Sequence, residues 1–492
     1  VFRSSAWDAR RTIPARAQAV SAQARTAVGR EGTPIYRIAA LAAIAVWLVV
    51  ASSGVLRTEA FVRPAADELS VALTGDSLIT RPLSSYHEPT FLRLAELIRS
   101  QDAAFTNLET TLHDYEMWAM VESGGIHLRA APAMARELVS TGFRLASVAN
   151  NHIADWGVEG MRLTRRHAEA AGLQVAGAGE DLAAARQATR LQTAKGHIAL
   201  VAAASTFTAN ARAGNAADGI PARPGLSPLR FTTTNVLTPA GMAALRTVAK
   251  ELGQPVSPGD RITFQDQLFL VGERPGRRTE PHRADLEEIA AAVRVARASS
   301  DLTIVSVHAH EGGANAREPA EFLVTFARSM IDAGADVFVG HGPHVLRGIE
   351  IYKGRPIFYS LGNFIFENET VERLPSDDFE RLGADPAAGV AGLNDARYSG
   401  GRRGFRAEQT IWESVVAVPR WRNRVLVAVD LYPVSLGYGR PQRVRGRPVL
   451  ADPALARKIL SDLRRLSAPF GTTITSWNGI GRIVPDTGVA RP

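Results

Sequence analysis

His341 and His344 stand three residues apart in the run VFVGHGPHVLRG, with Gly342 and Pro343 between them. Gly and Pro at that spacing belong to a tight loop and not to a helix interior. An imidazole offers a nitrogen lone pair to a borderline metal ion, so two on one loop are candidate ligands. The apolar run before them, Val337 to Val339, has the length of a buried parallel strand. Open α/β sheets place ligands at the C-terminal ends of such strands. A second apolar run, Ile357 to Leu361, ends at Gly362 and Asn363, and its loop could face the same site. Two ordinary surface histidines are the alternative until the rest of the chain is read.

Four further strand-like runs end in the same kinds of side chain. LSVALTGD closes on Gly75 and Asp76, a carboxylate that could ligate a metal or cap the next turn. Ala103 to Leu108 is followed by Glu109; Asn107 and Glu109, two apart, share a side in extended backbone. GFRLASVAN leads into Asn150, Asn151 and His152. Asn151 could ligate a hard ion or touch a transferring oxyanion. His152 could ligate or orient a nucleophile, with Asp155 holding its ring N–H, or it could be structural. Leu302 to Val307 ends at His308, the better ligand of its group; His310 or Glu311 just beyond could protonate a leaving group or act as outer-sphere partners. Chance would scatter these residue types over helices and strand starts as well. Their convergence points to a divalent centre, single or paired, of Mn, Zn or Fe, clamping attacking and leaving oxygens.

The elements that must position these residues alternate as in an α/β fold. Helical periodicity covers 90–101, 132–141, 159–171, 181–189, 238–252, 284–298 and 319–333. Residues 209–230 and 273–282 read as loops. Residues 368–404 read as a loop insertion near the site mouth. Its Arg397, Arg402, Arg403 and Arg406 could meet an anionic polymer or phosphate, or form a solvated charged loop. Strands at 410–418 and 424–432 close a sheet. A helix at 451–466 belongs to a C-terminal extension, 435–492, packed on the core.

There is no cysteine, which excludes disulfides, thiolate metal sites and a cysteine nucleophile. The formal charge of +8 is largely local: residues 1–37 carry seven Arg against Asp8 and Glu31. The remainder is near balance, so nucleic acid is not an expected partner. The composition predicts an Arg-rich disordered cytoplasmic tail at 1–37. The uncharged run 38–56 then predicts a transmembrane anchor, with a cleavable signal or a buried core helix as alternatives. The positive flank places the rest of the chain outside the bacterial cytoplasmic membrane, anchored to it or secreted.

TGD at 74–76, NLE at 107–109, ANNHIADWGVEG at 149–160, SVHAHEG at 306–312 and GHGPHVLRGIEIYKGRPIFYSLGNFIF at 340–366 together resemble the CapA/PgsA family of poly-gamma-glutamate capsule proteins. The resemblance covers about residues 69–470. It implies a metallophosphoesterase-like α/β/β/α sandwich, here a CapA-like domain over 69–434, and a role in capsular polymer synthesis or export. It places Asp76, Glu109, Asn151, His152, His308, His341 and His344 on metal or phosphate positions. Implied partners are an anionic polymer such as poly-gamma-glutamate, or a phosphorylated substrate, and membrane synthase subunits. Three positions depart from the pattern. Leu78 stands where metallophosphoesterases carry a histidine, His308-Ala309-His310 where the family often has HWG, and Gly342 where it often has the middle His of GHHPH. The chain is then either a metal-dependent hydrolase or a non-catalytic polymer-binding or assembly subunit.

Overall fold

The computed structural model describes residues 64–485. The expected tail at 1–37 and apolar span at 38–56 lie outside them. Among the described residues no helix is long and apolar enough to cross a membrane.

Two mixed sheets dominate. The larger has ten strands, with Leu69–Leu78 at its centre, parallel to Ala103–Leu108 on one side and antiparallel to Glu413–Arg422 on the other. Leu145–Ser147 and Gln174–Ala176 extend one flank, and Val425–Ser435 and Ile480–Ile483 the other. Asn363–Phe366 joins Leu69–Leu78 in parallel beyond Asp76. The smaller sheet has six strands, in the order Ile349–Tyr352, Arg355–Phe358, Val337–His341, Leu302–His308, Gly196–Ala204 and Thr189–Thr193.

Side chains of a strand alternate between faces, and here the alternation assigns the layers. Ile198, Leu200, Ala202, Leu302 and Ile304 pack into the core shared with the larger sheet, beside Val71, Phe105 and Leu145. Ala199, Val201, Val305 and Val307 point the other way, against Ile289 and Val293 of helix Arg283–Ala298 and Phe322 and Phe326 of helix Glu321–Asp332. Helices Pro89–Arg99, Met134–Thr141 and Gly157–Ala171 bury Leu94, Leu138 and Met161 with the larger sheet. Fully burying one such side chain contributes roughly 1.5–3 kcal/mol. The result is an α/β fold with two mixed sheets, consistent with a phosphoesterase-like sandwich.

Most expected helices form within two or three residues of their sequence bounds. At 451–466 the helix is Pro453–Ser467, and Asp452 caps it by accepting from Ala454 N at 2.9 Å and Leu455 N at 3.0 Å. Two expected loops are structured. Gly276–Pro281 is a strand, antiparallel to Phe231–Leu237. With Gln267–Val271, Arg261–Phe264 and helix Pro239–Glu251 it builds a satellite unit on Met242, Ala249 and Ile262. Its sequence, GRRTEP, lies mostly in solvent and carries no apolar period to read. The 368–404 segment is not a plain loop either. It holds helices Ser376–Leu382 and Gly389–Arg397, whose Gly389, Gly392 and Asp395 are weak helix formers that mask the period.

Candidate metal centre

Strand register assembles the site. His308 lies opposite His341 in the smaller sheet. In the larger sheet Asp76 lies opposite both Asn107 and Asn363. The two rows meet where the sheets face each other. Asp76 does not end its strand, as the sequence suggested, but sits within Leu69–Leu78 at a break in register. Gly75 makes that possible: a Cβ there would lie 1.8 Å from the Gly362 carbonyl oxygen, which accepts from Asp76 N at 3.0 Å.

Asp76 is fully buried. Its Oδ1 accepts from Asn107 Nδ2 at 2.9 Å and its Oδ2 from the Gly342 N–H at 3.0 Å. Its oxygens lie 3.4 Å from His341 Nδ1, 3.6 Å from His344 Nδ1 and 4.0 Å from His308 Nδ1. Burial alone would raise its pKa, but the nearby His341, with His308 and His344, holds it well below the usual carboxylate range. Glu109 behaves oppositely. Burial, then repulsion from Asp76 and Asp155, pushes its carboxyl well above the usual range.

Amide side chains hold two of the imidazoles. Asn363 Nδ2 donates to the carbonyls of His344 and Ile411, so its Oδ1 faces His344 and accepts from Nδ1 at 2.8 Å. That leaves the lone pair of His344 Nε2 free, 3.9 Å from Glu109 Oε1. His344 takes a left-handed backbone, φ 58°, uncommon for a side chain of this size. Asn107 Nδ2 also faces His308 Nδ1 at 3.1 Å. The other ring nitrogen of His308, Nε2, lies 2.9 Å from His310 Nε2. Two ligands on one ion at ~2.1 Å would be separated by a similar distance, roughly 3 Å. Burial, then His344, pushes His310 down to about 3, so its ring is a neutral lone-pair donor near neutral pH. Burial also lowers His308 and His344.

Two triads bring their ligand atoms within 4.8 Å of one another: Asp76, Glu109 and His308, and Glu109, His310 and His344. Both oxygens of Glu109, both nitrogens of His341 and Asn151 Oδ1 are buried with no hydrogen-bond partner. Buried polar atoms are almost always satisfied; the two unsatisfied oxygens of Glu109, the residue both triads share, are acceptors that a cation would complete. The donor set of carboxylate oxygens, imidazole nitrogens and one amide oxygen suits a hard-to-borderline divalent ion.

The remaining expected residues fall around this centre. His152 donates or shares its Nδ1 proton with Asp155 Oδ2 at 2.7 Å, the outer contact the sequence suggested. Asn151 Nδ2 is tied to the Gly124 carbonyl, leaving the oxygen free. Glu311 is not in either triad; Ser205 and Thr206 hydroxyls donate to its two oxygens at 2.7 and 3.0 Å. His310, read from sequence as a proton donor or outer partner, is instead in a ligand triad.

Gly342 explains one departure by another. A Cβ at Gly342, whose φ is 106°, would lie 2.8 Å from His310 Cδ2. The ring of His310 therefore occupies space that a side chain at 342 would need. Sequence reasoning overlooked Arg347, which is fully buried and donates to the carbonyls of Ala309, His310, Glu311 and Ala316. It locks the His308–Glu311 loop to the His344 loop, and burial lowers its pKa to about 10. An Arg inside an apolar-rich motif three residues after a candidate ligand was the available signal. Asn363 was visible as the end of the second apolar run, but its partner was not.

Fold and site together define an α/β protein, consistent with a phosphoesterase-like sandwich, with two buried carboxylate–histidine clusters suited to a divalent cation. The sequence matches the model of the bacterial capsule synthesis protein family PGA_cap over residues 70–368, and the chain belongs to that family. It is 39% identical over 430 residues to the uncharacterized protein y4sH of Sinorhizobium fredii (strain NBRC 101917 / NGR234), covering 85% of this chain and 93% of that one. It is 27% identical over 306 residues to the PGA biosynthesis protein CapA of Bacillus subtilis (strain 168), covering 61% of this chain and 64% of that one. A hypothetical protein from Thermus thermophilus, of known crystal structure, aligns at 12% identity and a TM-score of 0.33, covering 74% of this chain and 98% of that one.

Proposed function

We propose that this chain acts in poly-gamma-glutamate or related capsular polymer synthesis or export, outside the cytoplasmic membrane, through a metal-dependent hydrolase-like site. The observation that carries the metal-dependent part is the orphaned donor set: Glu109, His341 and Asn151 each bury lone pairs that no protein group satisfies. Family membership and the printed role of the Bacillus subtilis relative support the process. The membrane placement rests on the Arg-flanked apolar run at 38–56.

Asp76, Glu109, His308, His310, His341 and His344, with Asn151 Oδ1, would hold one or two divalent ions. A bound ion supplies an activated water and charge stabilisation at the scissile centre. The chain's own groups do the positioning. Asn363 fixes the His344 tautomer, Gly342 N–H and Asn107 donate to the two oxygens of Asp76, and Asp155 holds the His152 ring.

A second reading, a polymer-holding or synthase-assembly subunit, is favoured by Leu78. It is buried in the Asp76 strand where a phosphoesterase would offer another imidazole. The two readings separate in cells lacking the native protein. Under the first, H308A and H341A abolish polymer output and the purified variants lose metal. Normal output from folded, metal-free variants rejects the hydrolytic reading and leaves the assembly role.

A further inference from the structure

Arg397 ends helix Gly389–Arg397 in the insertion. Its guanidinium lies 5.2 Å from the Tyr398 ring centroid and 5.8 Å from that of Phe405. Phe405 packs edge-on against the His344 ring at 5.4 Å, and against Phe366 at 5.2 Å. One aromatic ring therefore separates Arg397 from a candidate ligand.

The neighbouring arginines are all occupied or solvated. Arg406 is paired with Glu369 and Asp395, and Arg445 with Glu369. Arg403 donates to the backbone carbonyls of Arg397 and Ala396, and Arg402 is exposed. Arg347 spends its donors on four carbonyls. Arg397 differs. Among the described residues no carboxylate pairs with it, and its Nη1 is buried without a hydrogen-bond partner. Stacking on aromatic faces uses the plane of a guanidinium and leaves its N–H edge free, the edge that matches a carboxylate in bidentate fashion.

We propose that Arg397 is a specificity-determining residue that binds a free carboxylate of the substrate next to the metal centre. The inference rests on the reading of the substrate as an acidic polymer. The two fail separately in calorimetric titrations of the metal-loaded full chain with a gamma-linked glutamate trimer and with its carboxamide analogue. The expected result is a preference of the wild type for the acidic trimer. R397A weakens that binding by at least roughly tenfold, the scale of one charged hydrogen bond. Carboxamide binding, metal content and melting temperature stay as in the wild type. R397K restores only part of the affinity, since a point charge lacks the planar fork. If the wild type shows no preference, the acidic-polymer reading and this inference both fall. If it prefers the acidic trimer and R397A does so equally, only the role of Arg397 falls. If R397A loses affinity for inorganic phosphate but not for the trimer, the carboxylate assignment is overturned.

Discussion

Two of the buried places where histidine meets carboxylate differ sharply: His127 with Asp378, and the cluster around Asp76 and Glu109. At the first, the protein satisfies every polar atom itself. His127 Nδ1 faces Asp378 Oδ2 at 2.8 Å and its Nε2 faces the Met120 carbonyl at 2.7 Å. Both partners are acceptors, so both ring nitrogens must carry protons and the ring is an imidazolium. Asp378 also accepts from the His127 backbone N–H and from Arg381. At the second place the same residue types leave five atoms orphaned, on Glu109, His341 and Asn151. A closed pair is a clasp, holding the insertion helix Ser376–Leu382 onto the chain around Gly124 that also touches Asn151. An open cluster has lone pairs that a cation would complete. The contrast shows that burial of a His–acid group does not by itself mark a site; ligand atoms grouped within reach of one ion and left unsatisfied are the further sign.

The contrast can be broken most sharply at the open cluster. H308A and H341A are each expected to lose bound metal altogether while remaining folded, as metal analysis and circular dichroism of the purified chains would show. At the clasp the loss is one of stability and leaves metal content intact. D378N strands the His127 imidazolium and should cost about 3 kcal/mol at pH 6, the scale for breaking a buried ion pair, read from urea unfolding. A smaller effect comes from an outer contact: N363A frees the His344 ring and should weaken metal binding about tenfold with no change in fold, measured by titration calorimetry.

The smallest expected effect is the pH response of the clasp. Burial lowers the His127 pKa, but Asp378 and Asp155 more than offset it, so the folded value is raised. Its stabilisation is complete below the unfolded value near 6.5 and is lost as pH rises through the folded value. Burial raises the Asp378 pKa, but His127 and Arg381 bring it down below its ordinary value. Its contribution is present above about 3.9 and is lost as pH falls through the folded value. Protection of helix Ser376–Leu382 from hydrogen exchange, corrected for the intrinsic rate, should therefore be greatest between about pH 4 and 6.5 and fall toward pH 9. D378N should flatten that fall; an unchanged profile in D378N would locate the response elsewhere.

The main strands and helices were legible because their apolar periods are strong: Val337–His341 and Leu302–His308 are buried at every position. The site was legible as a list of strand-end residues, because period-2 geometry and strand-end placement are local properties. What joined them was not. The in-register pairing of His308 with His341, and of Asp76 with Asn107 and Asn363, is set by which strands become neighbours. The place of His310 follows from a contact with Gly342, thirty-two positions away. The polar strand Gly276–Pro281 escaped because it is held by strand pairing rather than an apolar face, and the second insertion helix because its glycines mask the period.

The central claim is that the open cluster is a divalent-cation centre, and thermal unfolding of the full chain with and without added Mn or Zn tests it most directly, beside E109Q. Glutamine preserves the shape of Glu109 and removes its charge. The wild type should hold at least one ion per chain by elemental analysis. It should also gain about 2.7 kcal/mol of stability at a metal concentration a hundred times the dissociation constant, and E109Q should lose most of that gain. No metal-dependent stabilisation of the wild type, or an equal one in E109Q, would contradict the account.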